Sequence, residues 1–335
     1  MQIFQSHIYD SLPLAWIAII ISFIVLFKCA DIFVDSAIAV AQDFKIPKIL
    51  VGLVLVSLAT SAPELCVSMV AAFKGAPKIA LGNAVGSVIC NEGLALSLAG
   101  ILSVSAIAIV PSVLKSSGIF LIIISVLAYA FVFFDHTLNR MEGVILVFLF
   151  ACYLFFLFKK NLYEDPETLP EQDGTDNDVR KKSLVKHCCF FSFSLLVIIV
   201  ASDYIVVSAT VIARSFQVSE SIIAMTLVAF GTSVPEVATS ITAARKGEGA
   251  IAVGNILGSD IINICLVAGA SAVANDLILS AIDISFMFPV MIIIVVSMFC
   301  MLRSGNSLTR IKGFVLLSFY LLYLAVCVCF FSPTF

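Results

Sequence analysis

The chain has 335 residues, of which 61% are hydrophobic and only 12% are charged, and its mean hydropathy is +1.14. This composition excludes a soluble domain, which could not bury so much apolar surface, and predicts an all-α polytopic protein of the lipid bilayer. The formal net charge of −3 excludes a basic nucleic-acid-binding protein.

Ten apolar stretches are each long enough for a membrane-spanning helix, which takes roughly 20 residues. In chain order they cover about 14–40, 49–73, 78–103, 116–135, 141–158, 187–213, 221–244, 250–273, 281–302 and 312–331. A long hydrophilic segment separates the first five stretches from the last five. We therefore predict a five-helix repeat at 1–158, a linker at 159–186 and a second five-helix repeat at 187–335.

The distribution of Lys and Arg predicts the orientation, because cytoplasmic loops carry an excess of positive charge. With both termini outside, 14 of the 19 Lys and Arg residues fall in inside loops and 4 fall outside. The linker is then cytoplasmic, and two repeats of five helices enter the membrane in opposite directions. Such inverted repeats predict a binding site between them near the bilayer midplane, used by alternating access.

The two halves share sequence at one constant offset. Residues 31–91 align with 203–263 without a gap, and 25 of the 61 positions are identical. The best-matched segments are SLATSAPE at 57–64 with AFGTSVPE at 229–236, and GNAVGSVICN at 82–91 with GNILGSDIIN at 254–263. Polar residues are costly in a membrane, so matched polar residues within apolar segments predict a functional site.

The first motif of each copy puts hydroxyl groups and a carboxylate on one helix face. Thr60 and Ser61 lie four and three residues before Glu64, which is helical spacing. Pro63 lacks an N–H, and its ring clashes with the carbonyl four residues earlier. We expect the helix to kink or break here, which is tolerated at membrane depth only where the backbone lines a cavity. The second copy repeats the pattern with Thr232, Ser233, Pro235 and Glu236.

The second motif of each copy forms a polar stripe with a spacing of four residues. The two stripes are Asn83, Ser87 and Asn91, and Asn255, Ser259 and Asn263. They indicate either a site or a helix-packing face. Gathered at one point, both motifs offer only oxygen donors, which suits a hard cation such as Ca²⁺. Two ionised glutamates neutralise one Ca²⁺, and the same oxygens can hold Na⁺.

The paired (A/G)TS-x-PE and GN-x-x-GS-x-I-x-N motifs resemble the α-repeats of the cation/Ca²⁺ exchanger superfamily, in particular the prokaryotic Na⁺/Ca²⁺ exchangers. The α-repeats then cover about 49–103 and 221–273. The resemblance implies an antiporter of the plasma (inner) membrane that transports Ca²⁺ and Na⁺ (or H⁺) and needs no cofactor. It implies Ca²⁺ binding by Glu64, Glu236, Thr60 and Thr232. It implies Na⁺ binding by Ser57, Ser61, Ser87, Ala229, Ser233 and Ser259 with both glutamates. It places Asn91 and Asn263 at the centre.

The chain departs from the family pattern at three places. Both terminal asparagines of the second motif are Asn, where many relatives have one Asp. Val88 and Asp260 replace the Asn that usually follows Gly-Ser, which makes Asp260 a possible accessory ligand. Ala59 replaces the usual Gly before the first Thr-Ser.

Other acidic residues are interpreted as structural. Asp31 and Asp203 match across the repeat and are expected to have a structural or vestibule role. Asp35 and Glu92 have no acidic repeat partner and are expected to be wall or interface residues.

Three other functions stay open. A H⁺/Ca²⁺ exchanger of the same superfamily has the same motifs, since buried glutamates can titrate. An intramembrane protease is disfavoured because neither HExxH nor GxGD occurs. A passive channel is a further alternative. The sequence does not predict an oligomeric state.

Overall fold

The computed structural model describes residues 12–43, 48–161, 177–215, 228–279 and 283–331, which are mainly helical. The elements of the first half are α1 (Leu12–Asp43), α2 (Val51–Thr60), α3 (Ala62–Phe73), α4 (Pro77–Leu102), β1 (Ile107–Ala108), α5 (Pro111–Asp135), β2 (Thr137–Leu138) and α6 (Arg140–Asn161). A short helical turn, Lys48–Leu50, precedes α2.

The second half repeats this order. Its elements are α7 (Asn177–Ser215), α8 (Val228–Thr232), α9 (Val234–Arg245), α10 (Gly249–Ala274), β3 (Leu277–Ile278), α11 (Phe288–Arg303), β4 (Ser307–Leu308) and α12 (Arg310–Phe331). A π-helical stretch, Asp283–Met287, leads into α11.

Eight of the described helices are long and apolar enough to cross a membrane, and the bent pair of α2 and α3 makes a ninth crossing. The predicted span at 221–244 begins in 216–227, outside the described residues, so a total of ten helices stays a prediction. α6 ends at Asn161 and α7 begins at Asn177. The hydrophilic segment expected to be a linker is therefore helical at both ends, and its centre lies outside the described residues.

The centre of the molecule is formed by α4 and α10. In their most apolar stretches 78% and 89% of residues are buried, against 17–39% in the other six long helices. The outer helices instead expose large apolar side chains such as Trp16 and Phe155. In a bilayer this surface faces lipid and the buried polar motifs of α4 and α10 do not.

Glycines allow the central helices to approach backbone to backbone. A Cβ atom on Gly254 would lie 2.6 Å from the Ile49 carbonyl oxygen, and one on Gly258 would lie 2.3 Å from the Leu53 carbonyl oxygen. Real Cβ atoms do not come within 3.0 Å of other atoms. α10 of the second half therefore packs directly on α2 of the first half, which brings the two motifs together.

Two short antiparallel strand pairs join the halves. Ile107 and Ala108 of β1 pair with β4, and β2 pairs with β3. Each pair is extended by one backbone hydrogen bond, from Ile109 N to Asn306 O (2.9 Å) and from Leu279 N to His136 O (2.8 Å). Both pairs are contacts between the first and the second half of the chain.

Candidate functional site

Both TS-x-PE motifs break their helices in the same way. α2 and α3 meet at a bend of 45°. Ser61, between them, has φ −82° and ψ 4°, and Ser233, between α8 and α9, has φ −83° and ψ 0°. The expected helix breaks are therefore present in both copies. Their backbone geometry is the same, although Ala59 stands where the second copy has Gly231.

The two glutamates meet in the protein interior, and each is hydrogen-bonded by the other half of the chain. Glu64 and Glu236 have no exposed surface. Ser233 Oγ donates to Glu64 Oε1 at 3.2 Å, and Ser61 Oγ donates to Glu236 Oε1 at 3.0 Å. The two carboxyl groups also interact electrostatically. The halves thus bring their acidic side chains to one place between them.

Each of these carboxylates keeps one oxygen without a partner. Glu64 Oε2 and Glu236 Oε2 are buried and accept no hydrogen bond. Ser259 Oγ gives Glu236 Oε1 a second contact, at 3.4 Å. A buried carboxylate oxygen without a hydrogen-bond donor is costly in free energy. Such groups are normally paired with a cationic side chain or a bound metal ion.

Two asparagines hold the threonines beside the carboxylates. Asn83 Oδ1 accepts a hydrogen bond from Thr232 Oγ1 at 3.0 Å, and Asn255 Oδ1 accepts one from Thr60 Oγ1 at 3.3 Å. Again each contact joins the two halves. The amide nitrogens donate to serines of the neighbouring helix in the same half, Ser68 and Ser240, both at 3.0 Å. Asn83 and Asn255 therefore position the threonine hydroxyl groups, a role that the sequence pattern alone did not separate from packing.

The other residues expected to bind Na⁺ lie around the same place. Ser57 Oγ bonds a carbonyl of its own helix at 2.8 Å. The carbonyl oxygens of Ser57 and Ala229 accept backbone amides at 2.9 and 3.1 Å, and each carbonyl retains a second lone pair. Ser87 Oγ lies 3.5 Å from Thr232 Oγ1. Ser87 thus contacts Thr232 of the other half, whereas the Ser57 hydroxyl group bonds within its own helix.

The terminal asparagines of the second motif each begin a π-helical stretch. These stretches are Asn91–Leu96 in α4 and Asn263–Ala268 in α10. A π-bulge re-aims side chains and is frequent at functional sites. Asn263 is fully buried, and neither its Oδ1 nor its Nδ2 has a hydrogen-bond partner. Asn91 Nδ2 donates to Asp260 Oδ1 at 3.0 Å, and its Oδ1 is unpartnered.

Asp260 and Glu92 form a contact that the sequence analysis missed. Both side chains are fully buried, and their carboxyl groups interact with each other. Asp260 also interacts electrostatically with Glu236. Glu92 is therefore an interior residue beside the centre. The available signal was its acidic side chain within an apolar span, which is costly unless it serves a purpose.

The interior carries an excess of acidic side chains over basic ones. Among the described residues the fully buried ionisable side chains include four carboxyl groups, Glu64, Glu92, Glu236 and Asp260, and no Lys, Arg or His. In that same part of the chain no three His, Cys, Asp or Glu side chains form a metal-binding cluster. A cation here would depend on paired carboxylates together with hydroxyl, amide and carbonyl oxygens, which suits Ca²⁺ or Na⁺.

The matched acid Asp31 lies at the surface, in contact with the far end of α9. Lys246 Nζ is 2.7 Å from Asp35 Oδ1 and 3.6 Å from Asp31 Oδ1, and it donates to the Asp31 carbonyl oxygen at 2.8 Å. The ion pairs join α1 of the first half to α9 of the second half. Asp35, which was expected to be a wall or interface residue, thus belongs to an interface between helices.

Comparison with known proteins gives one family. A family model described as sodium/calcium exchanger protein matches residues 14–159 and 186–329. The inner membrane protein YrbG of Escherichia coli is 32% identical over 93% of this chain and 96% of its own length. The sodium/calcium exchanger MaX1 of Methanosarcina acetivorans is 30% identical over 93% of this chain and 97% of its own length. A solved structure of the sodium-calcium exchanger NCX_Mj, soaked with Na⁺ and without Ca²⁺, superposes with a TM-score of 0.79 at 27% identity. The superposition covers 94% of this chain and 99% of that one.

Proposed function

Because the chain belongs to the sodium/calcium exchanger protein family, we propose that it exchanges Ca²⁺ for Na⁺ as a secondary antiporter. It is an integral membrane protein of the plasma membrane, in keeping with its apolar helices and its inner-membrane relative. Its family consists of transporters, and the proposal assigns it no enzymatic reaction and no cofactor.

The observation that carries the proposal is the crossed pair of serine–glutamate hydrogen bonds. Ser61 contacts Glu236 and Ser233 contacts Glu64, so neither half holds a complete site. A ligand between the two carboxylates would bind both halves at once. This is the property that a transporter needs in order to couple ion binding to a rearrangement of the two halves.

Ca²⁺ fits the centre by charge and by donor type. The two glutamates supply two negative charges and up to four oxygens, of which Glu64 Oε2 and Glu236 Oε2 lack any partner. Thr60 and Thr232, held by the asparagines, add hydroxyl oxygens. Ca²⁺ takes six to eight such oxygens in a flexible shell. We assign these four residues to Ca²⁺.

Na⁺ shares this centre and extends beyond it. The proposed Na⁺ ligands are both glutamates with Ser57, Ser61, Ser87, Ala229, Ser233 and Ser259. Asn91 and Asn263 complete the centre, and the unpartnered amide of Asn263 supports this role. Because Na⁺ and Ca²⁺ use the same carboxylates, they compete, and this competition is the basis of exchange.

Alternating access follows if the halves are inverted repeats. Contacts at equivalent positions support this arrangement. Gly258 packs on Ser57, and Gly86 packs on Ala229, and the alignment of the two halves matches Gly86 with Gly258 and Ser57 with Ala229. With five helices per repeat, we propose that both termini are outside and that the hydrophilic segment at 159–186 is cytoplasmic.

The test is ion flux in proteoliposomes that contain the full-length protein. An outward Na⁺ gradient should drive uptake of ⁴⁵Ca²⁺, and uptake should collapse when the Na⁺ gradient is removed. Glu64→Gln and Glu236→Gln should each abolish it. Glu142→Gln is the matched control, because the Glu142 carboxylate accepts only the backbone N–H of Asn139, just before α6, in the described contacts.

Three results would contradict the proposal. Uptake that persists in both site variants would end the assignment of the glutamates. Uptake driven by a pH gradient in Na⁺-free buffer, with no response to Na⁺, would identify a H⁺/Ca²⁺ exchanger. Flux that does not saturate and needs no counter-ion would identify a channel.

A further inference from the structure

Glu92 and Asp260 are a buried acidic pair outside the repeat symmetry. Their equivalents in the other repeat are Ile264 and Val88, which are apolar. Both carboxyl groups have no exposed surface and face each other across the contact of α4 with α10. The pair thus exists once in the molecule, beside a centre whose other acidic residues occur in duplicate.

The oxygens of this pair lack hydrogen-bond donors. Asn91 Nδ2 donates to Asp260 Oδ1 at 3.0 Å. Four oxygens accept no hydrogen bond from an N–H or O–H group: both carboxylate oxygens of Glu92, Asp260 Oδ2 and Asn91 Oδ1. Asn91 is itself fully buried, and its amide is fixed against Asp260. The acceptor oxygen of the neutral Asn91 side chain therefore lies beside two acidic side chains.

Two facing carboxyl groups in an apolar interior must either take up protons or share a cation. Buried charges in proteins are paired or coordinate metals, because an isolated one costs several kcal/mol or more. The fully buried side chains of the described residues include no Lys, Arg or His. A single shared proton would satisfy only two of the four free oxygens and would leave the pair with one negative charge, which a monovalent cation would offset. The group is therefore better matched to an ion.

We propose that Glu92, Asp260 and Asn91 form an accessory cation site, off the axis that relates the repeats, which binds one monovalent hard cation such as Na⁺. The ligands are carboxylate and amide oxygens, which select hard cations. Four free oxygens fall short of the six to eight that Ca²⁺ takes, so the site favours the monovalent ion. This site depends on the proposed exchanger function in one respect: the ion would reach it along the same transport pathway.

The test is equilibrium binding of ²²Na⁺ and ⁴⁵Ca²⁺ to the purified full-length protein. Glu92→Gln and Asp260→Asn keep the size of each side chain and remove its charge. A second, double variant takes the residues of the other repeat, Glu92→Ile with Asp260→Val. Gel filtration and thermal unfolding identify any variant that does not fold.

We expect each variant to lose one Na⁺ per protein at saturation while Ca²⁺ stoichiometry at the Glu64–Glu236 centre is kept. We also expect Na⁺ to raise the unfolding midpoint of the wild type by more than that of the double variant. Unchanged Na⁺ stoichiometry in the folded variants would overturn the proposal in favour of a shared proton and would leave the exchanger function intact. Loss of bound Ca²⁺ instead of Na⁺ would overturn the choice of a monovalent ion. Failure of the wild type to bind either ion would reject the proposed function itself.

Discussion

Gly258→Ala is predicted to destabilise the contact of α10 with α2. The new Cβ atom would lie 2.3 Å from the Leu53 carbonyl oxygen and 2.5 Å from Ser57 Oγ. The first distance is about 1 Å short of the 3.4 Å at which ordinary contact begins. Since one neighbour is backbone, the helices must separate.

The energetic cost follows from two opposing effects. Overpacking of this kind costs about 1–3 kcal/mol, and sometimes more. The higher helix propensity of Ala returns up to about 1 kcal/mol. Because the clash is with backbone, the overpacking cost falls at the upper end of its range, and the net loss of unfolding free energy is about 2 kcal/mol. A helix separation of about 1 Å would also stretch the Thr60–Asn255 hydrogen bond, which joins α2 to α10, from 3.3 Å beyond hydrogen-bonding range.

The assays are thermal unfolding in detergent and ⁴⁵Ca²⁺ uptake in proteoliposomes. We expect Gly258→Ala to lower both the unfolding midpoint and the Ca²⁺ affinity. The matched comparison is Gly86→Ala, whose Cβ would meet Ala229 Cβ at 2.8 Å. Because that neighbour is a side chain, the double variant Gly86→Ala with Ala229→Gly should recover stability. A Gly258→Ala protein as stable and active as the wild type would refute the reasoning.

Three further predictions test separate contacts. Ser61→Ala and Ser233→Ala should each weaken Ca²⁺ binding about tenfold to a hundredfold in ⁴⁵Ca²⁺ titrations, because a hydrogen bond to a charged group contributes roughly 1.5–3 kcal/mol; equal affinity in both variants and the wild type would contradict the crossed pairs. Lys246→Gln should change the unfolding free energy by less than about 1 kcal/mol, since its ion pair with Asp35 is at the surface; a loss of several kcal/mol would show that the pair is more than a surface contact. Tyr153→Phe removes a buried hydrogen bond of 2.9 Å from its hydroxyl group and should cost about 1 kcal/mol in thermal unfolding; no loss would mean that the hydroxyl group is satisfied equally well in the unfolded chain.

The repeated polar motifs are the part of the candidate site whose meeting in the interior the sequence could predict. Matched residues such as Glu64 and Glu236 can be recognised in the sequence, because the polar residue and the neighbouring helix-breaking Pro both occur twice. The sequence pattern did not predict which half supplies the partner. Ser61 and Glu64 share a helix face, yet the hydrogen bond of Ser61 goes to Glu236. That choice depends on how the helices pack.

The contact between the two unmatched acidic residues could not be predicted from the repeated motifs. Glu92 and Asp260 lie in different halves of the chain and lack acidic equivalents in the other repeat. Their contact requires the close packing of α4 on α10 and the π-helical stretch that begins at Asn91. Neither the spacing of residues nor their polarity encodes that geometry. The start of α7 at Asn177 was also missed, because a solvated helix has no apolar pattern.

The two strand pairs join some helices of the molecule and leave others, α1 and α7 among them, outside the backbone pairing. α5 crosses the membrane between β1 and β2, so β1–β4 and β2–β3 lie at opposite faces. The segments flanked by these strands are thereby cross-braced at both membrane surfaces. α1 packs along α7 and neither helix takes part in a described strand pair. If α1 and α7 moved together relative to the helices that the strands join, the centre could be exposed to each side in turn. Such a movement would break neither strand pair.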